Sequence, residues 1–186
     1  MTSFADFSIL FVAIFSILQF LSPLVGNKIN LKNLNYIVSF FSISSFILLT
    51  VSFSILILAY VNSDFSLLNV WSNSHTSKPL IYKISGSWGN HEGSMLLWCW
   101  VMSLYGFLVA INFQKISSNF KIRILMFQGI LSFGFITFLK FKSNPFEKLF
   151  PIPEEGIGLN PLLQDPGLAF HPPFLYLGYV GLSIVW

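Results

Sequence analysis

The chain has 186 residues, of which 54% are hydrophobic, 18% aromatic and 9% charged. Soluble domains carry about 25% charged residues, so this balance excludes an ordinary water-soluble globule and points to a membrane protein. Ten Lys and Arg against seven acids leave a formal charge of +3, too slight and too scattered for a nucleic-acid surface.

A membrane-crossing helix needs about 20 apolar residues to span about 30 Å of hydrocarbon. In chain order, the apolar runs predict spans near 7–27, 35–61, 93–114, 122–140 and 172–186, the last cut off at Trp186. The fourth is short, but Lys140 and Lys142 can snorkel to the interface. The runs are continuous rather than alternating, and longer than the roughly 10-residue strands of a membrane barrel. The expected fold is therefore all-α: a polytopic transmembrane bundle of about five helices, forming one membrane domain. The first run lacks a basic n-region and an A-x-A cleavage site, so it reads as a retained helix. The lone cysteine, Cys99, sits inside an apolar run, where it reads as a small packed hydrophobe and forms no internal disulfide.

The linker after the first span holds Lys28 and Lys32; that after the third holds Lys115, Lys121 and Arg123, and neither holds an acid. The positive-inside rule places both on the cytoplasmic or matrix side. The N-terminus and the loops 62–92 and 141–171 then face outward, toward a periplasm or intermembrane space. Those loops hold all three histidines, His75, His91 and His171.

His75 lies in the polar "WSNSHTSKP" and reads as a loop residue. His91 lies in "SWGNHEGSMLLWCW", where Asn90 or Ser94 can cap the third span and Glu92 suits its positive N-terminal end. His91, Met95, Trp98, Met102 and Tyr105 then share one helix face. That stripe serves either helix packing or a flat ligand such as a porphyrin, which makes His91 and Trp98 candidate cofactor contacts. Glu154 and Glu155 in "PIPEEGIG" read as a solvated pair. "QDPG", Gln164 to Gly167, is a turn signature. His171 precedes a proline, which predicts extended backbone just outside a helix whose first turn holds Pro172. A rigidly presented imidazole there suits a metal or haem iron; a helix cap or headgroup anchor is the plainer reading. No phosphate-cradling loop, H-E-x-x-H or nucleophile elbow occurs, and the absence of mid-membrane acids counts against a pump or transporter.

"SWGNHEGSMLLW" and "NPLLQDPGLAFHPPFLYLGYVG" resemble the N-terminal part of the CcmF family, the haem lyase subunits of the multi-subunit cytochrome c maturation machinery. "SNSHTSKPLIYKISGSWGNHEGS" and "FKSNPFEKLFP" agree in order, and the likeness covers nearly the whole chain, least clearly its first 35 residues. The resemblance implies a larger helical membrane protein with an outward site, which takes haem from the chaperone CcmE and joins it to the C-x-x-C-H motif of apocytochrome c. It implies that His171, in "FHPP", is an axial haem ligand; it carries no such role to His91. Implied partners are the rest of the lyase, a CcmH-type thiol protein, CcmE, apocytochrome c and the lipid bilayer. The family's WWD segment, its second outward histidine and its transmembrane haem b histidines would lie beyond Trp186. The chain is thus expected to be one piece of a composite site, inactive alone, in the mitochondrial inner membrane or alternatively a bacterial plasma membrane. An assembly scaffold for the maturation complex and a respiratory or transport subunit are the rival readings.

Overall fold

The computed structural model describes residues 1–25, 30–111, 117–158 and 164–185. Lys28, Lys115, Pro161 and the expected span ends at 27, 114 and 186 lie outside the described residues. Seven helices are seen among them: α1 Thr2–Val25, α2 Leu31–Val61, α3 Leu68–Asn73, α4 Leu80–Gly86, α5 His91–Ile111, α6 Ser118–Lys142 and α7 Pro166–Val185. Extended pairing among the described residues is limited to one isolated antiparallel bridge, Leu67 to Lys148. It joins the two long loops through Leu68 N–H to Glu147 O (2.9 Å) and Leu149 N–H to Ser66 O (2.9 Å).

Four helices, α1, α2, α5 and α6, are long and apolar enough to cross a membrane. α7, which carries His171 and two internal prolines, is not among the four.

In lipid the hydrophobic effect does not drive helices together; close packing and interhelical hydrogen bonds do. The bundle uses both. Antiparallel α1 and α2 are joined by Ser52 Oγ–H to Ala5 O (3.2 Å), and antiparallel α1 and α6 by Gln19 Nε2–H to Leu125 O (2.7 Å). α2 meets α5 through Trp100 Nε1–H to Thr50 Oγ1 (2.9 Å), beside stacked Phe46 and Phe107. α5 meets α6 where Gln128 lies over Gly106 and donates to Met102 O (2.5 Å). Model bonds of this kind contribute about 0.6–2 kcal/mol each.

The antiparallel order gathers the N-terminus, the end of α2, the start of α5 and the end of α6 at one end of the bundle. Asp6 of α1 pairs there with Lys140 of α6 (2.5 Å) and accepts from Asn144 Nδ2 (2.9 Å). Lys140, expected near the membrane interface, is thus paired with an acid across the α1–α6 contact. α7 runs parallel to α5, since Trp88 reaches residue 169, Trp98 packs on Tyr176 and Tyr105 bonds Leu177.

Candidate functional site

The end that collects the loops is built around a buried polar network. Tyr60, fully buried at the end of α2, donates to Asn69 Oδ1 (2.6 Å) and accepts from Asn90 Nδ2 (2.9 Å). Asn69 Nδ2 donates to Asn90 Oδ1 (2.8 Å) and to Glu92 Oε2 (3.2 Å). Asn90 is also the cap of α5, its Oδ1 accepting from Gly93 N–H at 2.8 Å. That settles the choice between two expected caps. Ser94 Oγ–H donates instead to Trp88 O (2.7 Å), fixing the turn before the helix. Gly93 is needed here because a Cβ would lie 1.8 Å from Ser87 O.

The two long loops, between α2 and α5 and between α6 and α7, are clamped together at Glu155. Its carboxylate accepts from Thr76 N–H (3.0 Å), Thr76 Oγ1–H (2.5 Å) and Gly156 N–H (3.0 Å). These donors, Thr76 hydroxyl foremost, hold its pKa down to about 2. Backbone bonds continue the seam, from Ile157 N–H to Trp71 O (2.8 Å) and Gly158 N–H to Ser74 O (3.1 Å). Glu155 is therefore a tether between loops and not simply a solvated acid. Lys78, 7% exposed, donates to Asn73 O (3.0 Å) and, like the Tyr60 ring, lies close to Gly86; burial, then nearby Lys83, lowers its pKa to about 8.

The expected geometry around His171 needs correction. The helix starts not at Pro172 but at Pro166, so His171 is helical and not extended. "QDPG" is a helix start and not a free turn. Asp165 caps it, with Oδ1 accepting from Gly167 N–H (2.8 Å) and its carbonyl from Ala169 N–H (2.9 Å). Pro166 takes the first helical position, where its missing N–H costs nothing. Pro172 and Pro173 are then tolerated inside the helix, and the residue-before-proline rule yields to the cap upstream.

The three histidines differ sharply. His75 Nδ1 lies 2.9 Å from Ser77 Oγ and 3.9 Å from Glu155. His91 Nδ1 lies 2.8 Å from Ser143 Oγ, and its ring meets Phe138 edge-on with centroids 6.2 Å apart. His171 is exposed and has no hydrogen-bond partner among the described residues. From His171, one face of α7 continues through Phe174 (71% exposed), Leu175, Gly178, Tyr179 (63%) and Leu182. A Cβ on Gly178 would meet nothing within 4 Å. The opposite face, with Ala169 and Val180, is buried against the bundle.

The Met and aromatic stripe of α5 packs between helices. Trp98 meets Phe135 of α6 (6.0 Å) and Tyr176 of α7 (5.2 Å, edge-on). Met102 is buried and its sulfur accepts from Ser132 Oγ (3.2 Å). Met95 lines an apolar groove of about 450 Å³ with Leu131, Phe135 and Phe138. The structure thus engages His91 and Trp98 with α6 and α7, and leaves His171 uncommitted.

The sequence reading missed the Tyr60–Asn69–Asn90 network, the Glu155 clamp and the bond from Trp88 to α7. The last had a signal: two prolines in one helix leave two carbonyls without amide donors, so a donor from elsewhere is needed.

Comparison with known proteins places this architecture. The family described as Cytochrome C assembly protein matches residues 88–186. The chain is 43% identical, over 97% of its length, to the cytochrome c-type biogenesis protein ccl1 of Rhodobacter capsulatus, and spans 28% of that protein. It is 46% identical over 91% of its length to CycK of Rhizobium meliloti, spanning 25% of it. It is 49% identical over 73% of its length to CcmF of Escherichia coli, spanning 21% of it. The solved structure of a cytochrome c haem lyase CcmF superposes with a TM-score of 0.71 at 23% identity, covering 98% of this chain and 27% of that one, and shows the same fold. The chain belongs to the cytochrome c assembly protein family, with CcmF-type proteins among its relatives.

Proposed function

We infer that the chain is part of a cytochrome c haem lyase, to which it contributes one wall and one axial ligand, His171, of an outward-facing haem site. The observation that carries this reading is the contrast among the histidines: His171 alone of the three is both exposed and unbonded among the described residues. Its surroundings fit the substrate. An uncommitted imidazole suits haem iron, and the adjoining exposed Phe174, Leu175 and Tyr179 suit a flat apolar ring.

Haem is the substrate, to be joined through its vinyl groups to the cysteine thiols of a C-x-x-C-H segment. The protein's part is to orient the ring and exclude competing chemistry. His171 would present one ring nitrogen to the iron from the outer end of α7. Trp98 packs on Tyr176 of the helix that presents it, while His91 is engaged at the end of α6. The second axial ligand, the CcmE docking surface and the CcmH-type partner belong to the rest of the machinery, so this chain does not act alone. The Lys-over-Arg bias and abundant Phe support a mitochondrial inner membrane; the bacterial relatives support a plasma membrane.

The test is a haem absorption spectrum of the affinity-purified complex, native beside His171→Ala. Loss or shift of the haem bands with the complex intact is expected. An unchanged spectrum with normal cytochrome c maturation overturns the ligand role and leaves an assembly scaffold.

A further inference from the structure

In a regular helix the amide of residue 173 would donate to the carbonyl of residue 169. Residue 173 is proline and has no N–H, so the Ala169 carbonyl loses its donor within α7. That carbonyl cannot turn to bulk water, because Ala169 is only 3% exposed. The indole of Trp88 fills the gap, donating from Nε1 to Ala169 O at 2.9 Å. Trp88 is itself held: its amide donates to Ser85 O (3.1 Å), its carbonyl accepts from Ser94 Oγ (2.7 Å), and its ring packs near Phe53 with centroids 6.3 Å apart. The held carbonyl lies two residues before His171, in the same helical turn.

We propose that Trp88 is a positioning residue for His171: its indole N–H replaces the amide that Pro173 lacks, and so locks the turn of α7 bearing His171 onto the start of α5. The "SWGN" and "FHPP" stretches are then two halves of one latch. The inference deepens the ligand reading and rests on it for its functional meaning, but the latch itself has its own consequence. Without the indole donor a buried carbonyl is unpaired, and the first two turns of α7 loosen. Restoring a backbone donor at position 173 makes the indole dispensable.

A double-substitution cycle tests this on the purified membrane complex, with Trp88→Phe, Pro173→Ala and both together, followed by hydrogen exchange of amides between Ala169 and Leu175. Trp88→Phe, which keeps an aromatic ring but removes the indole N–H, is expected to speed that exchange roughly tenfold, as loss of one buried hydrogen bond does. In the Pro173→Ala background the same change is expected to do several-fold less. Haem absorption of the same samples should weaken or shift in Trp88→Phe and recover in the double variant. Equal effects of Trp88→Phe in both backgrounds, or no effect in either, overturn the latch. If the exchange cycle shows coupling while neither Trp88→Phe nor His171→Ala changes the haem spectrum, the latch stands and the ligand reading fails. If His171→Ala abolishes the signal but Trp88→Phe leaves exchange and spectrum alone, the ligand stands and the latch fails.

Discussion

His91 and His171 lie in the opening turns of two parallel helices at the same end of the bundle, His91 directly after the cap Asn90 and His171 six residues after the cap Asp165. Their settings are opposite. The α5 start is fastened on every side: Asn90 caps it, Asn69 bonds both Asn90 and Glu92, and Ser143 takes the His91 ring nitrogen. The α7 start is held among the described residues by the Trp88 indole and the Asp165 cap, and turns His171 with an apolar face away from the bundle. The same residue type is thus bound into the frame in one place and presented in the other. Under the proposed function, a rigid frame with one projecting group is what presenting a ligand to a planar ring requires.

The largest expected effect comes from breaking the fastened side. In Gly93→Ala the new Cβ would lie 1.8 Å from a backbone oxygen, which no side-chain rotation relieves. Loss of more than about 3 kcal/mol is expected, enough to deplete the folded protein in detergent. Gly156→Ala, with a Cβ 2.0 Å from Ser74 O, should break the loop seam in the same way. Size-exclusion profiles and thermal melts in detergent check both. A stable, monodisperse Gly93→Ala protein would show that the α5 start is not rigid.

The histidine pair sharpens the comparison at the next level. His91→Ala removes a hydrogen-bonded ring that packs on Phe138, and should lower stability by about 1 kcal/mol while sparing the haem spectrum. His171→Ala removes an exposed ring that is unbonded among the described residues, and should leave stability within about 0.5 kcal/mol of native while abolishing or shifting the spectrum. Paired melts and spectra therefore separate structure from presentation, and the reverse pattern would exchange the two roles. Asp6→Asn comes next. It strips the charge from the pair with Lys140, which is partly exposed, so about 1 kcal/mol is expected, with a weaker loss at high salt.

How much of this was open to sequence reasoning follows from the physics of each residue. Long apolar runs announce helices because lipid leaves the backbone no other way to satisfy itself. The stripe from His91 to Tyr105 also followed from spacing alone, though not the choice between packing and ligand, which depends on what α6 and α7 bring to it. The start of α7 was misplaced because local rules compete. A proline disfavours helix for the residue before it, yet Asp165 and Pro166 nucleate a helix early enough to carry His171 inside. Glu155 and Lys78 were opaque for another reason. Thr76 lies across two loops from Glu155, and Asn73 lies five residues before Lys78 in an irregular turn; neither pairing has a periodicity to read.

Glu155 and Lys78 are told apart by pH. Glu155 is held near 2 against an ordinary 4.5, so the folded state releases its proton first. Its contribution is fully present above about pH 4.5 and fades as pH falls toward 2. Lys78 runs the other way along the axis. Its folded value of about 8 lies below the ordinary 10.5, so between these the unfolded chain binds more protons than the folded one. Stability from this group should therefore rise as pH climbs from about 8 to 10.5, by on the order of 1–2 kcal/mol once solvent screening is allowed for. Lys78→Met keeps an unbranched stem in this buried position and removes the ammonium. It should flatten the rise and, near neutral pH, leave the protein at least as stable as native, the lost bond to Asn73 O offset by the relieved burial of charge. Detergent melts at pH 7, 8.5 and 10 decide the matter. A native slope retained in Lys78→Met would assign the titration to another group and make Lys78 a solvated side chain after all.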